Sequence, residues 1–189
     1  MPDERFDSSW RAASWIEECL PRNVSGFVAA HYLHKLPAVV TLSLVMFVLG
    51  KPKGMVLYAL PPRQTAIRYG GATWELARLY ITDDVPNNAE TWLISKSVKH
   101  IKVNYPAVDF LVSYADPSAG HVGTIYRAAN WKADGMTDDE RKSPRSDYYD
   151  AKTGKKYGRL GHVPEGVAIE KRPRISKYRY VLPLNRRAK

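Results

Sequence analysis

Apolar positions recur with two different periods along this chain. From Val39 to Leu49 the residues are nearly all apolar and often β-branched, as in a strand buried on both faces. Lys51-Pro52-Lys53-Gly54 reads as a turn, and residues 55–60 as a second strand, so the two predict an antiparallel hairpin. Pro61-Pro62 ends that hairpin, and a third strand over 73–81 opens after Gly70-Gly71. Between 87 and 105 the period changes. Ile94, Val98, Ile101 and Tyr105 fall on one helical face, and Lys96, Lys99 and Lys102 fall off it. Asn87, with Glu90 three residues on, makes a capping-box arrangement, and Pro106 closes the helix. Residues 108–114 predict a buried strand and 120–130 another helix.

The flanks are less regular. Trp10, Ala13 and Ile16 predict a helix over 7–19, capped by Asp7 or Ser8, and a second helix over 25–36 stops at Pro37. After Trp131 the periodicity fades. Residues 132–176 read as a polar, loop-rich arm with one hairpin candidate at 150–157, and 177–184 as a last strand. No internal repeat is visible. This order of elements predicts an α/β (α+β) fold with a mixed sheet, not a doubly wound parallel one. The 189 residues suit a single domain over 1–189 with the arm inside it.

Charge changes the picture more than bulk composition does. The net charge is +10, yet residues 141–189 alone carry 15 Lys and Arg against 4 Asp and Glu. That quarter is therefore at +11 and the remainder at −1. Tyr148, Tyr149, Tyr157, Tyr178 and Tyr180 are interleaved with these charges, and aromatic rings stack on bases. A basic, aromatic block of this kind is the footprint of a nucleic-acid binder, or else a solvated tail. Lys155, Lys156, Arg159, Arg172, Arg174, Lys177 and Arg179 are the candidate DNA contacts. The lone Cys19 excludes an internal disulfide and fits a reducing compartment. No apolar run approaches the roughly 20 residues of a membrane span, and the N-terminus, with Asp3, Glu4 and Asp7, lacks the apolar core of a signal peptide.

The densest chemistry lies in Ser113-Tyr114-Ala115-Asp116-Pro117-Ser118-Ala119-Gly120-His121-Val122-Gly123-Thr124-Ile125-Tyr126. A buried strand delivers an Asp to its carboxyl end, and a glycine-rich turn then opens a helix bearing His and Tyr. Ligands collect outside the carboxyl ends of strands, and helix N-termini offer free N–H groups to anions. The alternative is plain strand–turn–helix structure with Asp116 as a cap. His31, Asp116 and His121 are also a conceivable nitrogen and oxygen set for iron or another divalent metal.

Two resemblances rest on these residues. Tyr126-Arg127-Ala128-Ala129-Asn130-Trp131 resembles the ending of the last helix of GNAT acyltransferases, where a Tyr protonates the departing thiolate of coenzyme A. The 113–126 stretch, with Glu75-Leu-Ala-Arg78-Leu79 and the His31-Tyr32 pair, resembles the phage Mom family of DNA adenine-modification proteins. The resemblance implies a GNAT-like fold with a mostly antiparallel central sheet flanked by helices. It implies transfer of a carbamoylmethyl group to adenine N6 of double-stranded DNA, in the cytoplasm of a bacterial host, as protection against restriction. It also implies a site lined by His31, Tyr32, Arg78, Asp116 and Tyr126. In those roles Asp116 or His31 takes a proton at N6, Tyr126 gives one to the leaving group, and Arg78 meets developing negative charge. An acyl-CoA or another activated donor is implied, with Asn88, Gly120 and Gly123 as candidate cofactor contacts. One departure stands against coenzyme A. Where GNAT enzymes carry a glycine loop for the pyrophosphate, this chain has Asp83-Asp84-Val85-Pro86-Asn87-Asn88-Ala89, with no glycine and two carboxylates.

Overall fold

A computed structural model describes residues 8–69, 72–139, 141–143, 145–157 and 163–185. The Asp7 cap, Gly70-Gly71 and Arg159 lie outside the described residues. Seven strands form one sheet in the order β1-β2-β3-β4-β5-β10-β6. These are β1 (Ser14–Glu18), β2 (Val40–Val48), β3 (Lys51–Ala59), β4 (Thr73–Ile81), β5 (Phe110–Ala115), β6 (Lys132–Met136) and β10 (Tyr178–Pro183). Every neighbouring pair is antiparallel except β4 and β5. Helix α3 (Ala89–Asn104) makes the crossover between those two parallel strands, as a parallel pair requires.

Two apolar clusters cover the two faces. Leu44, Met46, Val56, Tyr58, Leu76 and Leu111 pack under Leu93, Ile94 and Ile101 of α3. Each fully buried Leu or Ile there contributes roughly 1.5–3 kcal/mol. On the other face Val45, Met55 and Leu57 pack under Val24 and Val28, the latter from α1 (Ser25–Ala30). The alternation within β2 and β3 is thus the two-faced burial expected of a central hairpin. The α3 stripe is where periodicity places it, and Lys96, Lys99 and Lys102 are exposed.

Several boundaries differ from expectation. Residues 51–54 belong to β3, and the hairpin turns at Leu49-Gly50, both at positive φ, the geometry of a tight two-residue turn. The helix expected over 7–19 is a short 3-10 turn, Ser8–Arg11, followed by edge strand β1. Pairing with β2 overrides the weak helical spacing there: Ile16 points into the core and Trp15 is outside, stacked on Phe47 at 5.2 Å. The helix at 25 ends at Ala30, well before Pro37. An unforeseen helix, α2 (Arg63–Tyr69), follows Pro61-Pro62. The helix expected over 120–130 is only α4 (Thr124–Ala128), because Gly120 and Gly123 both take positive φ. The arm is more structured than its composition suggests. It contributes β6 to the main sheet and builds a second sheet from β7 (Ser146–Asp150), β8 (Lys156–Tyr157) and β9 (Ile169–Pro173), in the order β8-β7-β9. The hairpin expected at 150–157 is the β7–β8 connection.

Candidate active site

Parallel strands β4 and β5 pair only from Thr73/Phe110 to Glu75/Val112, although both run on. Beyond that point they part. Ser113 Oγ donates to the Leu76 carbonyl at 2.9 Å, satisfying one of the acceptors that the missing ladder leaves. A bulge in β4 marks the same place. Leu57 pairs with Arg78 and Tyr58 with Leu76, leaving Ala77 as the extra residue. The bulge shifts the alternation, so Trp74, Leu76, Leu79 and Ile81 all face the core while Glu75 and Arg78 come to the other side.

A cleft of about 360 Å³ opens at this split. His31, Tyr32, Arg78, Gly120, His121, Gly123 and Tyr126 line it, together with Glu75, Tyr114 and Lys177. Residues from His31 to Lys177 thus converge on one cavity. Tyr126 is buried against Trp131 and Tyr180, with ring centroids 5.5 and 5.3 Å away. Burial pushes its hydroxyl up to about 12, so it stays protonated at neutral pH. Gly123 makes this packing possible: a Cβ there would overlap the Tyr180 ring, whose hydroxyl donates to Val122 O at 2.8 Å. Gly120 is exposed on the rim at φ +76, ending the 3-10 turn Pro117–Ala119.

His31 is 7% exposed, and burial holds its imidazole down at about 4, hence neutral. Its Nδ1 accepts the Leu33 N–H at 3.1 Å, which assigns the ring proton to Nε2. His31 is therefore arranged to donate a hydrogen bond, not to take a proton. Tyr32 is half exposed and lies against both His31 and His121, at 4.5 and 5.3 Å. Arg78 is tethered to the carbonyls of Lys35 at 3.0 Å and Ala77 at 2.5 Å.

Asp116 sits at the rim and is committed elsewhere. It accepts from Lys177 Nζ at 2.8 Å, Ser118 Oγ at 2.5 Å and Ser118 N–H at 3.0 Å. Burial opposes its ionisation, but Lys177 and Ser118 outweigh that and hold the carboxyl below its ordinary range. The cap reading of Asp116 is thus what its geometry shows. Glu75, part of the resemblance motif but not named as a site residue, is the only carboxylate lining the cleft among the described residues. Burial pushes it up to about 7, against the pull of Arg78 and Lys177.

A model of the Mom protein family matches residues 21–189. This chain belongs to that family. Over 119 residues it is 31% identical to the methylcarbamoylase Mom of Escherichia phage Mu, covering 61% of this chain and 49% of that protein. The chain therefore matches about half the length of that relative. Solved structures that resemble it are GNAT acetyltransferases. An aminoglycoside acetyltransferase in complex with coenzyme A and kanamycin matches with a TM-score of 0.54 at 11% identity, over 93% of this chain and 96% of that one. A GNAT-family acetyltransferase from Elizabethkingia anophelis with acetyl-CoA bound matches at 0.51 and 9% identity, over 90% and 98%. At such low identity the likeness shows the fold: the Mom-family chain is built on the GNAT architecture.

The remaining expectations meet the geometry as follows. His31, Asp116 and His121 do not gather as metal ligands; among the described residues no group of three or more His, Cys, Asp or Glu is placed to hold an ion. Tyr32 packs on both imidazoles, and the Asp116 carboxylate is turned to Lys177. Asn88 is exposed at the N-terminus of α3, outside the lining of the cleft. Of the basic candidates, Lys177 lines the cleft and Arg179 is buried against Asp134 at 2.8 Å. Lys155, Lys156 and Arg172 are exposed on the second sheet, and Arg174 is half-buried beside Asp147. The missed Glu75 had a signal in the sequence: the core alternation Trp74, Leu76, then Leu79, Ile81 slips phase by one, as a bulge demands.

Proposed function

We propose that this chain is a DNA-modifying transferase that attaches a carbamoylmethyl group to adenine N6, shielding phage DNA from restriction inside the bacterial host cell. The convergence of Glu75, Arg78, His31 and Tyr126 in one cleft at the β4/β5 split carries the reading, alongside membership of the Mom family. A volume of about 360 Å³ falls within the roughly 300–1,000 Å³ of small-ligand pockets. It suits one extruded base and the reactive end of a donor, and a base inside a duplex has to leave the stack to enter.

The exocyclic amine is a weak nucleophile because its lone pair is delocalised into the ring. As the N6–carbon bond forms and the bond to the leaving group breaks, Glu75 takes the N6 proton; a carboxyl titrating near 7 is matched to that task. Tyr126, held protonated, donates to the leaving atom. Arg78 and the Nε2–H of His31 meet negative charge as it develops. Tyr32 offers its exposed ring for stacking on the base.

The donor we propose is a coenzyme A-like or other activated molecule, coenzyme A and acetyl-CoA being bound by GNAT neighbours, that carries the carbamoylmethyl group through its methylene carbon. N6 bonds to that carbon as the leaving atom departs with its electron pair and takes the Tyr126 proton. Its chemistry is an electrophilic carbon on a good leaving group. The residues fit it better than the missing glycine loop suggests. Asn88 takes φ +70, a left-handed conformation that Asn tolerates better than most residues, and its own side chain does not cap the N–H groups of α3. Asp84 is bound by Lys53 and accepts from Thr82 at 2.6 Å, which offsets one of the two nearby carboxylates.

Mass spectrometry of nucleosides from DNA of cells expressing the protein tests the reading. It predicts a deoxyadenosine heavier by one carbamoylmethyl group. Unmodified DNA with an acetylated protein or small-molecule amine in its place would establish an ordinary acetyltransferase.

A further inference from the structure

A second, wider cavity of about 700 Å³ adjoins the cleft. Glu75, Tyr114 and Lys177 line both, so the two compartments meet at these three side chains. One wall is α2, through Thr65 and Arg68; the other is the segment after β6, through Asp138, Arg141 and Arg145. Tyr114 is pinned to the α2 wall by a 2.7 Å hydrogen bond between its hydroxyl and Thr65 Oγ1. Five cationic side chains line this groove against three carboxylates, and one of the three, Glu75, titrates near neutrality.

The internal pairing leaves positive charge over. Arg145 is paired with Asp138. Arg68 and Arg179 both reach Asp134, at 3.2 and 2.8 Å, the Tyr69 hydroxyl donates to the same oxygen at 2.7 Å, and Lys177 is paired with Asp116 at 2.8 Å. Arg141 has no acidic partner among the described residues. Arg179 is only 7% exposed, yet its Nη2 donates no hydrogen bond, and the Asp139 oxygen is 3.8 Å away. Buried guanidinium donors are ordinarily satisfied, and a planar donor fork is matched to a phosphate. The exposed sheet β8-β7-β9 differs: its cations face outward in number, whereas this groove mixes both signs. Mixed lining suits one phosphate, not a run of them.

We propose that this groove seats the phosphodiester next to the target adenine, on Arg141 and Arg179, so that the base passes over Glu75, Tyr114 and Lys177 into the cleft. The inference rests on the adenine-modification reading and adds the path of the strand. Phosphate contacts of this kind set register without reading sequence.

The test uses a short fluorescein-labelled oligonucleotide with one adenine, in single-stranded form, and the full chain. A neutral methylphosphonate is placed at each linkage in turn, and binding is read by anisotropy. Wild type is expected to lose about tenfold or more when a linkage flanking the adenine is neutralised, the scale of a charge-assisted contact, and much less at remote linkages. The Arg141→Ala variant is expected to bind the unmodified strand more weakly and to lose clearly less than wild type from the flanking methylphosphonate, the remainder belonging to Arg179. Equal losses at every linkage in wild type, or a flanking loss that persists in full in the variant, would overturn the proposal. The wild-type linkage profile decides alone if the variant does not bind. Failure of the function itself reads differently: no modified adenine from wild type with any strand, whatever the binding profile.

Discussion

The cleft and the β8-β7-β9 sheet both depend on charge, and they use it in opposite ways. In the cleft two ionisable groups, Glu75 and His31, are half or fully buried and moved off their ordinary titration: Glu75 up to about 7, His31 down to about 4. On the second sheet the charges are many and mostly outside. They neutralise one another, as with Lys156 and Arg174 on Asp147 at 2.7 Å each, and Arg172 on Glu170 at 2.5 Å. Arg172 also lies 4.5 Å over the ring of Tyr149. The Arg172–Glu170 pair is fully exposed and stabilises the sheet little, and Lys156 is exposed although its partner Asp147 is buried, so these cations can turn to phosphates. Buried groups with displaced titration are costly to the fold and are found where chemistry is done. From this contrast we propose that catalysis belongs to the cleft and sequence-independent holding of DNA to the sheet.

The sharpest way to break that assignment is at the cleft. Glu75→Gln and Tyr126→Phe should each lower the rate of modification by about 10²–10⁴-fold, the usual worth of a positioned acid or base, with DNA affinity unchanged. Single-turnover rates beside anisotropy titrations measure both. Gly123→Ala comes next. The new methyl would overlap the Tyr180 ring at a left-handed backbone position, so a loss of about 2–4 kcal/mol of stability is expected in urea unfolding, with Tyr126 displaced. On the sheet, Lys155→Gln with Lys156→Gln should flatten the slope of log K against log salt by about two and leave the modified adenines the same. Lys96, Lys99 and Lys102 are exposed on α3, and neutralising them should change the slope by less. An equal loss would put the DNA across the helix face.

The smallest effect expected is in the pH dependence of stability. Glu75 is raised in the fold, so its contribution is full below its unfolded value and is lost as pH climbs through about 7. His31 is depressed, so its contribution is present above its unfolded value and is lost as pH falls through about 4. Between about pH 4.5 and 6.5 the two slopes oppose each other. Glu75→Gln should therefore uncover a stability that rises with pH over that window, measured by urea midpoints. An unchanged profile would remove Glu75 from the buried set.

Much of the fold was legible where apolar residues repeat over long windows: the β2–β3 hairpin, α3 and the last strand all follow from period alone. Short or weakly patterned segments were not. Ser14–Glu18 has too few residues to separate helix from strand, and only its pairing to β2 decides. Arg63–Tyr69 carries no apolar stripe, and the arm's strands β7–β9 are almost entirely polar. At the site, the five residues that the family resemblance implies, His31, Tyr32, Arg78, Asp116 and Tyr126, line one cleft or its rim. Glu75 was not named as a site residue, and Lys177 was named as a DNA contact and not as part of the cleft, for a physical reason. Their places depend on a bulge and on a strand, β10, that enters beside β5 from the far end of the chain.

The central claim is that adenine is modified in the cleft and only held by the basic sheet. Nucleoside mass spectrometry on saturating DNA, with wild type, Glu75→Gln and the Lys155→Gln/Lys156→Gln pair side by side, tests it most directly. The account predicts carbamoylmethyl-deoxyadenosine from wild type and from the lysine pair at high protein concentration, and only a trace from Glu75→Gln at the same reaction time. Product from Glu75→Gln at the wild-type level, or its loss from the lysine pair even at saturation, would contradict it.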